Sequence, residues 1–294
     1  MNRKKSDIIN AQRLFHLQPT GMIDPLTESA IRNFQLKNDI PVTGDLDGIT
    51  RNLMFSNTGE DDISTDLSET FDDFIQDYFL PEGEYINTRT NKEYLFLHHT
   101  AGWNNPYSTI DMWARDNRGR VGTHYVIGGI NPRNLDESYD GVTLRAIEDD
   151  YYAWHLGAVD KYMHKHSIGI EVCNFGYLIK KGNGFYTYVN TKVHESQVIK
   201  LGYKFRGHKY WHKYTDKQIE SLRNLIIYLT NKFGISTYSG LQERLKVMSP
   251  KDAFEYYDDA RHGEVKGILS HTSVRRSKYD MFPQDELVDM LLSI

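Results

Sequence analysis

Apolar positions follow two rhythms along this chain. Between residues 8 and 56 they come at helical spacing behind two similar turns, Thr20-Gly21-Met22-Ile23-Asp24 with Thr27 and Thr43-Gly44-Asp45-Leu46-Asp47 with Thr50. The turns repeat after 23 residues, and in each a glycine suited to a positive backbone angle precedes an aspartate able to cap the next helix. A small helical bundle is predicted there. From Glu93 onward the rhythm changes to short apolar runs. Residues 94–97 lead into His98 and His99, residues 167–172 carry Glu171 among apolar neighbours, and residues 265–269 lead into Ser270 and His271. Such runs read as buried strands that deliver polar groups at their ends. Thr215-Asp216-Lys217-Gln218 has the form of a capping box, and Ile219, Leu222, Ile226, Leu229 and Phe233 continue it as a core helix.

Charge separates the two regions. Residues 59–85 hold ten of the 40 acidic residues and none of the 35 Lys and Arg, so a formal charge of -5 becomes +5 once this segment is set aside. It reads as an acidic linker, with Phe71, Phe74, Ile75, Tyr78 and Phe79 spaced for a short helix. The expected organisation is a helical module over residues 1–58, the linker over 59–85 and a larger domain over 86–294. No stretch approaches the roughly 18 to 20 apolar residues of a membrane span, and the basic start Met-Asn-Arg-Lys-Lys has no apolar segment behind it. The expectation is therefore a protein made in the cytoplasm without a signal peptide. The single cysteine, Cys173, excludes an internal disulfide and a multi-cysteine metal site.

Two of the strand ends carry candidate metal ligands. One histidine of the His98-His99 pair and His271, with Asp280 nine residues after the latter, make a three-ligand set for Zn2+ that leaves the fourth tetrahedral position open for water. An open position means catalysis rather than scaffolding, because the net positive site lowers the pKa of water. Glu171, a carboxylate inside an apolar strand, is costly there unless it has a task or a partner; the alternatives are a general base or an ion pair with a neighbouring Lys at the sheet edge.

These segments in this order, together with Val121-Gly122-Thr123-His124-Tyr125-Val126-Ile127, resemble the type-2 N-acetylmuramoyl-L-alanine amidase family over about residues 90 to 285. That resemblance implies an α/β fold, a central mixed sheet flanked by helices, with the small all-α bundle before it. It implies His98 rather than His99 as the first zinc ligand, His271 and Asp280 as the others, and Glu171 in Ser-Ile-Gly-Ile-Glu as the activator of water. Lys278 matches the family's oxyanion stabiliser. His155 falls where members contact substrate, and Thr123 stands where short phage members carry a catalytic tyrosine, so both are expected at the substrate. The N-terminal repeat, over roughly residues 8 to 56, resembles the peptidoglycan-binding repeat domain of wall hydrolases; a generic helical oligomerisation module is the alternative.

Together these resemblances imply a zinc-dependent peptidoglycan hydrolase of the phage endolysin kind. It would be a monomer that acts on bacterial peptidoglycan in the periplasm or wall after release, cleaving the amide between N-acetylmuramic acid and L-alanine. A non-catalytic recognition protein on the same fold is the competing reading, and the presence of Asp280 and Lys278 favours the enzyme. Residues 178–213 carry eight Lys or Arg against one Glu, interleaved with tyrosines, and read as an inserted hairpin or long loop. Nucleic acid is weighed for it and set aside in favour of anionic stem peptides or wall polymers.

Overall fold

A glutamine organises each copy of the 23-residue repeat. The computed structural model describes residues 3–15, 17, 19–38, 40–55 and 74–294, which fall into two compact units, the second being Phe74–Leu292. In the first unit, helices α1 (Arg3–Leu14), α2 (Pro25–Lys37) and α3 (Gly48–Phe55) enclose Ala11, Phe15, Leu17, Ala30, Ile31 and Leu46. Buried Gln12 donates to Thr20 Oγ1, the Met22 carbonyl and Thr27 Oγ1, and accepts from the Gly21 N–H. Gln35 repeats the pattern with Thr43, Asp45, Thr50 and Gly44. Each network saturates a polar turn inside a small core, where an unmet donor costs about 1–3 kcal/mol. Gly21 and Gly44 sit at φ +71° and +78°, as the turns require. Asp24 and Asp47 accept from the Thr27 and Thr50 N–H groups at the starts of α2 and α3.

The second unit is built on a six-stranded sheet. Its strands are β1 (Ile75–Asp77), β2 (Tyr94–His99), β3 (Tyr125–Ile127), β4 (Thr143–Arg145), β5 (Ser167–Val172) and β11 (Gly267–Ser270), in the order β1-β4-β3-β5-β2-β11. β3, β5, β2 and β11 run parallel to one another, and β4 with β1 runs against them. All six residues of β2 are buried, as expected of a parallel strand covered on both faces. The Thr215 capping box forms as anticipated and opens the helix Asp216–Phe233, closed by Gly234 at φ +66°.

Two local expectations are corrected. Residues 74–79 do not form a short helix: Ile75–Asp77 is an edge strand, because its backbone finds the open edge of β4, Ile75 and Leu80 bury against the core, and Asp77 pairs with Arg145 at 2.7 Å. Residues 74–85 thus belong to the second unit rather than to a linker, while residues 59–73 lie outside the described residues. For residues 178–213 the hairpin alternative holds and the long loop does not: most of the segment forms a five-stranded antiparallel sheet of β6 (Tyr177–Lys181), β7 (Gly184–Tyr186), β8 (Lys192–Val193), β9 (Val198–Phe205) and β10 (His208–His212). The spatial order is β8-β7-β6-β10-β9, and the fully buried Trp211 of β10 stacks on Phe282 at 4.6 Å.

Two buried histidines outside the candidate ligand set add to the acid sensitivity of this unit. His124 accepts a hydrogen bond from Gly169 N–H through Nδ1, and His212 does the same from Phe175 N–H. Burial pushes both imidazoles down to about 3 from an ordinary 6.5. Above pH 6.5 neither folded nor unfolded state is protonated, so they contribute nothing; below it only the unfolded chain takes up the proton. Stability should therefore fall by about 1.4 kcal/mol per pH unit for each histidine down to pH about 3. In His212→Asn, whose Oδ1 can replace Nδ1 as acceptor, urea unfolding between pH 6.5 and 4.5 should show a slope shallower by about that amount; an unchanged slope would refute the assignment.

Candidate metal centre

Parallel register gathers the candidate residues. His98 in β2 is paired with Glu171 in β5, and Leu97 with Ser270 in β11, so His271, the next residue, arrives level with His98 at the carboxyl ends of the strands. Open α/β sheets bind ligands at this edge. His271 opens a single helical turn, His271–Val274, and the chain returns to bring Asp280 alongside.

Three donor atoms converge. His98 Nδ1 lies 3.0 Å from His271 Nδ1 and 3.2 Å from Asp280 Oδ2, and His271 Nδ1 lies 2.9 Å from the same oxygen. All three residues are buried. Burial pushes His98 down to about 4, which keeps it neutral. Burial raises the Asp280 carboxyl, but the charges and hydrogen bonds of His271 and His98 outweigh it and hold the group well below the usual carboxylate range. An ionised carboxylate and two imidazoles at these separations suit a divalent cation. Donors about 2.0–2.2 Å from zinc in tetrahedral array stand roughly 3.3 Å apart.

His98 rather than His99 faces this cluster. His99 turns the other way, its Nδ1 bonded to Tyr214 Oη at 2.8 Å, and burial lowers it to about 4. Glu171 is the neighbouring acid, and its Oε2 is buried with no hydrogen-bond partner among the described residues. Burial first and the charge of Asp280 second push its pKa well above the ordinary value, and the charge of half-buried Lys278 opposes them. Among the described residues Glu171 forms no ion pair with a neighbouring lysine.

The two residues expected at the substrate both have hydrogen-bond partners within the protein. Thr123 is buried and gives its hydroxyl to the Tyr125 carbonyl at 3.1 Å; it cannot stand in for a tyrosine at the cleft. His155 has both ring nitrogens engaged, Nδ1 with His98 Nε2 at 3.0 Å and Nε2 with Ser167 Oγ at 2.8 Å. Its place is behind the ligand, and the direction of the bonds is set by the carbonyl at the end. Ser167 Oγ–H donates to the His164 carbonyl, so Oγ accepts from His155 Nε2–H. His155, held neutral chiefly by burial, then offers a lone pair at Nδ1 and accepts His98 Nε2–H. That fixes His98 as the tautomer whose bare Nδ1 points at the other two donors. No local pattern announces this chain of bonds, since its members lie 12 and 57 residues apart.

A family description for N-acetylmuramoyl-L-alanine amidase matches residues 88–280, and one for a peptidoglycan binding domain matches residues 10–54. Among solved structures, the chain is similar to PlyL (11% identity over 70% of this chain and 85% of that one, TM-score 0.38). It is also similar to AmpD, in a selenomethionine derivative (14%, 74% and 94%, TM-score 0.40). A third is the N-acetylmuramoyl-L-alanine amidase LysC from Clostridium intestinale (16%, 74% and 96%, TM-score 0.38). No curated protein sequence matched.

The hydrogen-bond chain behind His98 generates a test. His155→Ala should weaken zinc binding by about 10- to 100-fold in competition with a chelating dye. His155→Asn, whose Oδ1 can accept from His98 Nε2–H, should recover most of the affinity. Equal affinities in the alanine variant and the parent would show that the tautomer is set some other way.

Proposed function

Because the chain belongs to the N-acetylmuramoyl-L-alanine amidase family, we propose that it is a zinc-dependent peptidoglycan hydrolase that cuts the amide between N-acetylmuramic acid and L-alanine. The observation that carries this reading is the set of three donors within 3.2 Å of one another, neighbouring a carboxyl whose Oε2 is buried without a hydrogen-bond partner among the described residues. A zinc ion held by His98, His271 and Asp280 would supply Lewis acidity, polarising the amide carbonyl and making water acidic enough to attack near neutral pH. Glu171 takes a proton from the attacking water and returns it to the leaving amine of L-alanine, a role suited to a carboxyl whose pKa burial raises well above its ordinary value. Lys278 offsets negative charge on the carbonyl oxygen as it becomes tetrahedral.

An amidase domain joined to a peptidoglycan-binding module supports use as a lysin, since a recycling enzyme working on soluble fragments has no need of an anchor. The module supplies residence on an insoluble substrate and the amidase domain supplies the cut. We assign the whole to the endolysin kind, acting on the wall after release as a monomer.

The test is the appearance of new L-alanine amino termini in purified peptidoglycan. The zinc-loaded protein should release them, and chelation or His271→Ala should abolish release. Lys278→Met should lower kcat by roughly 100- to 1,000-fold, by analogy with loss of one oxyanion donor. Glu171→Gln should lose proton transfer while still binding zinc. Binding of peptidoglycan without release, zinc supplied, would make this a recognition protein instead.

A further inference from the structure

The second sheet, β6 to β10, is unused by the chemistry above. Along β9 burial alternates: Leu201 and Phe205 are buried, Lys200, Gly202 and Lys204 exposed. Cross-strand register puts Tyr210 of β10 opposite Lys200 on one side and Leu178 on the other, and Lys180 opposite Phe185. Residues directly opposite in antiparallel pairs share a face, so Lys180, Lys200, Phe185 and Tyr210 lie together, and the burial alternation of β9 puts Lys204 on the same exposed side, beyond the register irregularity at His208–Tyr210. The rings of Phe185 and Tyr210 are 4.9 Å apart, and Lys180 Nζ lies 5.9 Å from each. A side chain added at Gly202 would meet nothing within 4 Å, so the ground between the two β9 lysines is open.

The charge on this face has no internal answer. None of the three lysines forms an ion pair among the described residues, and the only acidic residue in 177–212, Glu195, sits in a turn outside the strands. Three neighbouring cations are engaged, Arg206 with Glu255 at 2.8 Å, Lys213 with Asp216 at 3.5 Å, and Lys181 with Asn190 at 2.8 Å, whereas Lys192 and Lys209, like the three lysines of this face, form no ion pair among the described residues. Three unpaired ammonium groups on one face are repelled by one another and gain nothing in the isolated protein, although its formal charge is -5. Same-face positions recur roughly every 6–7 Å along a strand, which suits a linear ligand with regularly repeated negative charge. Half-buried aromatic rings between the lysines suit the apolar face of a sugar ring.

We propose that this face binds an anionic glycopolymer of the wall, a chain of sugar or polyol units joined by phosphodiesters, alongside the cleavable peptidoglycan. The proposal rests on the wall-hydrolase reading for its choice of polyanion. It gives the amidase unit a wall contact of its own, independent of the helical module, and makes that contact salt-dependent.

The full chain should be tested against purified sacculi that carry phosphodiester-linked polymer and against the same sacculi stripped of it by hydrofluoric acid. The parent should bind the polymer-bearing sacculi more tightly, with an affinity that falls as salt is raised. Lys180→Gln/Lys200→Gln/Lys204→Gln should erase the difference and flatten the slope of log affinity against log salt by about two, at roughly 0.7 per phosphate contact. The matching triple Lys→Arg variant should keep the parent's behaviour, and both variants should cut soluble muropeptides like the parent. Equal binding of parent and Gln variant to polymer-bearing sacculi overturns the proposal. So does lysine-dependent binding of single-stranded DNA as tight as that of the polymer. Should muropeptides go uncut while the lysine-dependent binding persists, the proposed reaction fails and the surface stands.

Discussion

The site depends on one constraint, the parallel register of β2, β5 and β11. Hydrogen bonding between parallel neighbours leaves little freedom along the strand direction. Once Leu97 is paired with Ser270 and His98 with Glu171, two imidazoles and a carboxyl have to emerge at the same edge. A slip of one residue in any of the three would turn its polar group to the opposite face. The apolar residues of β2 and β11, buried on both sides of the sheet, hold the register. The energy for placing buried polar groups together thus comes from the strands that carry them.

Burying such groups has to be offset locally. Around the three donors every other imidazole is satisfied by a fixed partner: His99 by Tyr214, His124 by the Tyr151 carbonyl and the Gly169 amide, His155 by His98 and Ser167. Among the described residues Glu171 Oε2 is left without a hydrogen-bond partner, as are His271 Nε2, the ring nitrogen that does not face the donors, and a handful of atoms elsewhere. A buried carboxyl oxygen with no hydrogen bond is expensive in a structural role, which is why the isolation of Glu171 Oε2 near the donor cluster carries weight.

The two units bury polar groups by opposite means. In the helical module the same glutamine network occurs twice and is complete each time, so that a core of a few apolar side chains closes over a polar turn. In the amidase unit the polar chemistry is gathered once, at a sheet edge, and the second sheet keeps its cations on the surface.

Much of this was legible from local pattern, because the signals are local. The strand runs ending in His98 and His271, the lone Glu171, the capping box at Thr215 and the repeated Gly and Asp turns are each set by neighbours a few residues away, and the 23-residue period that relates the turns relates Gln12 to Gln35 as well. Other features required the folded chain. Apolar spacing in residues 74–79 fitted a helix until the open edge of β4 made it a strand, since edge pairing depends on a partner 68 residues distant. Thr123 and His155 carried residue types suited to a substrate contact, yet burial of the first and the double engagement of the second were decided by residues that only the tertiary structure brings near. Short-range spacing determines which elements form and where their polar groups sit; which way a buried polar group faces is decided by the partners that fold around it.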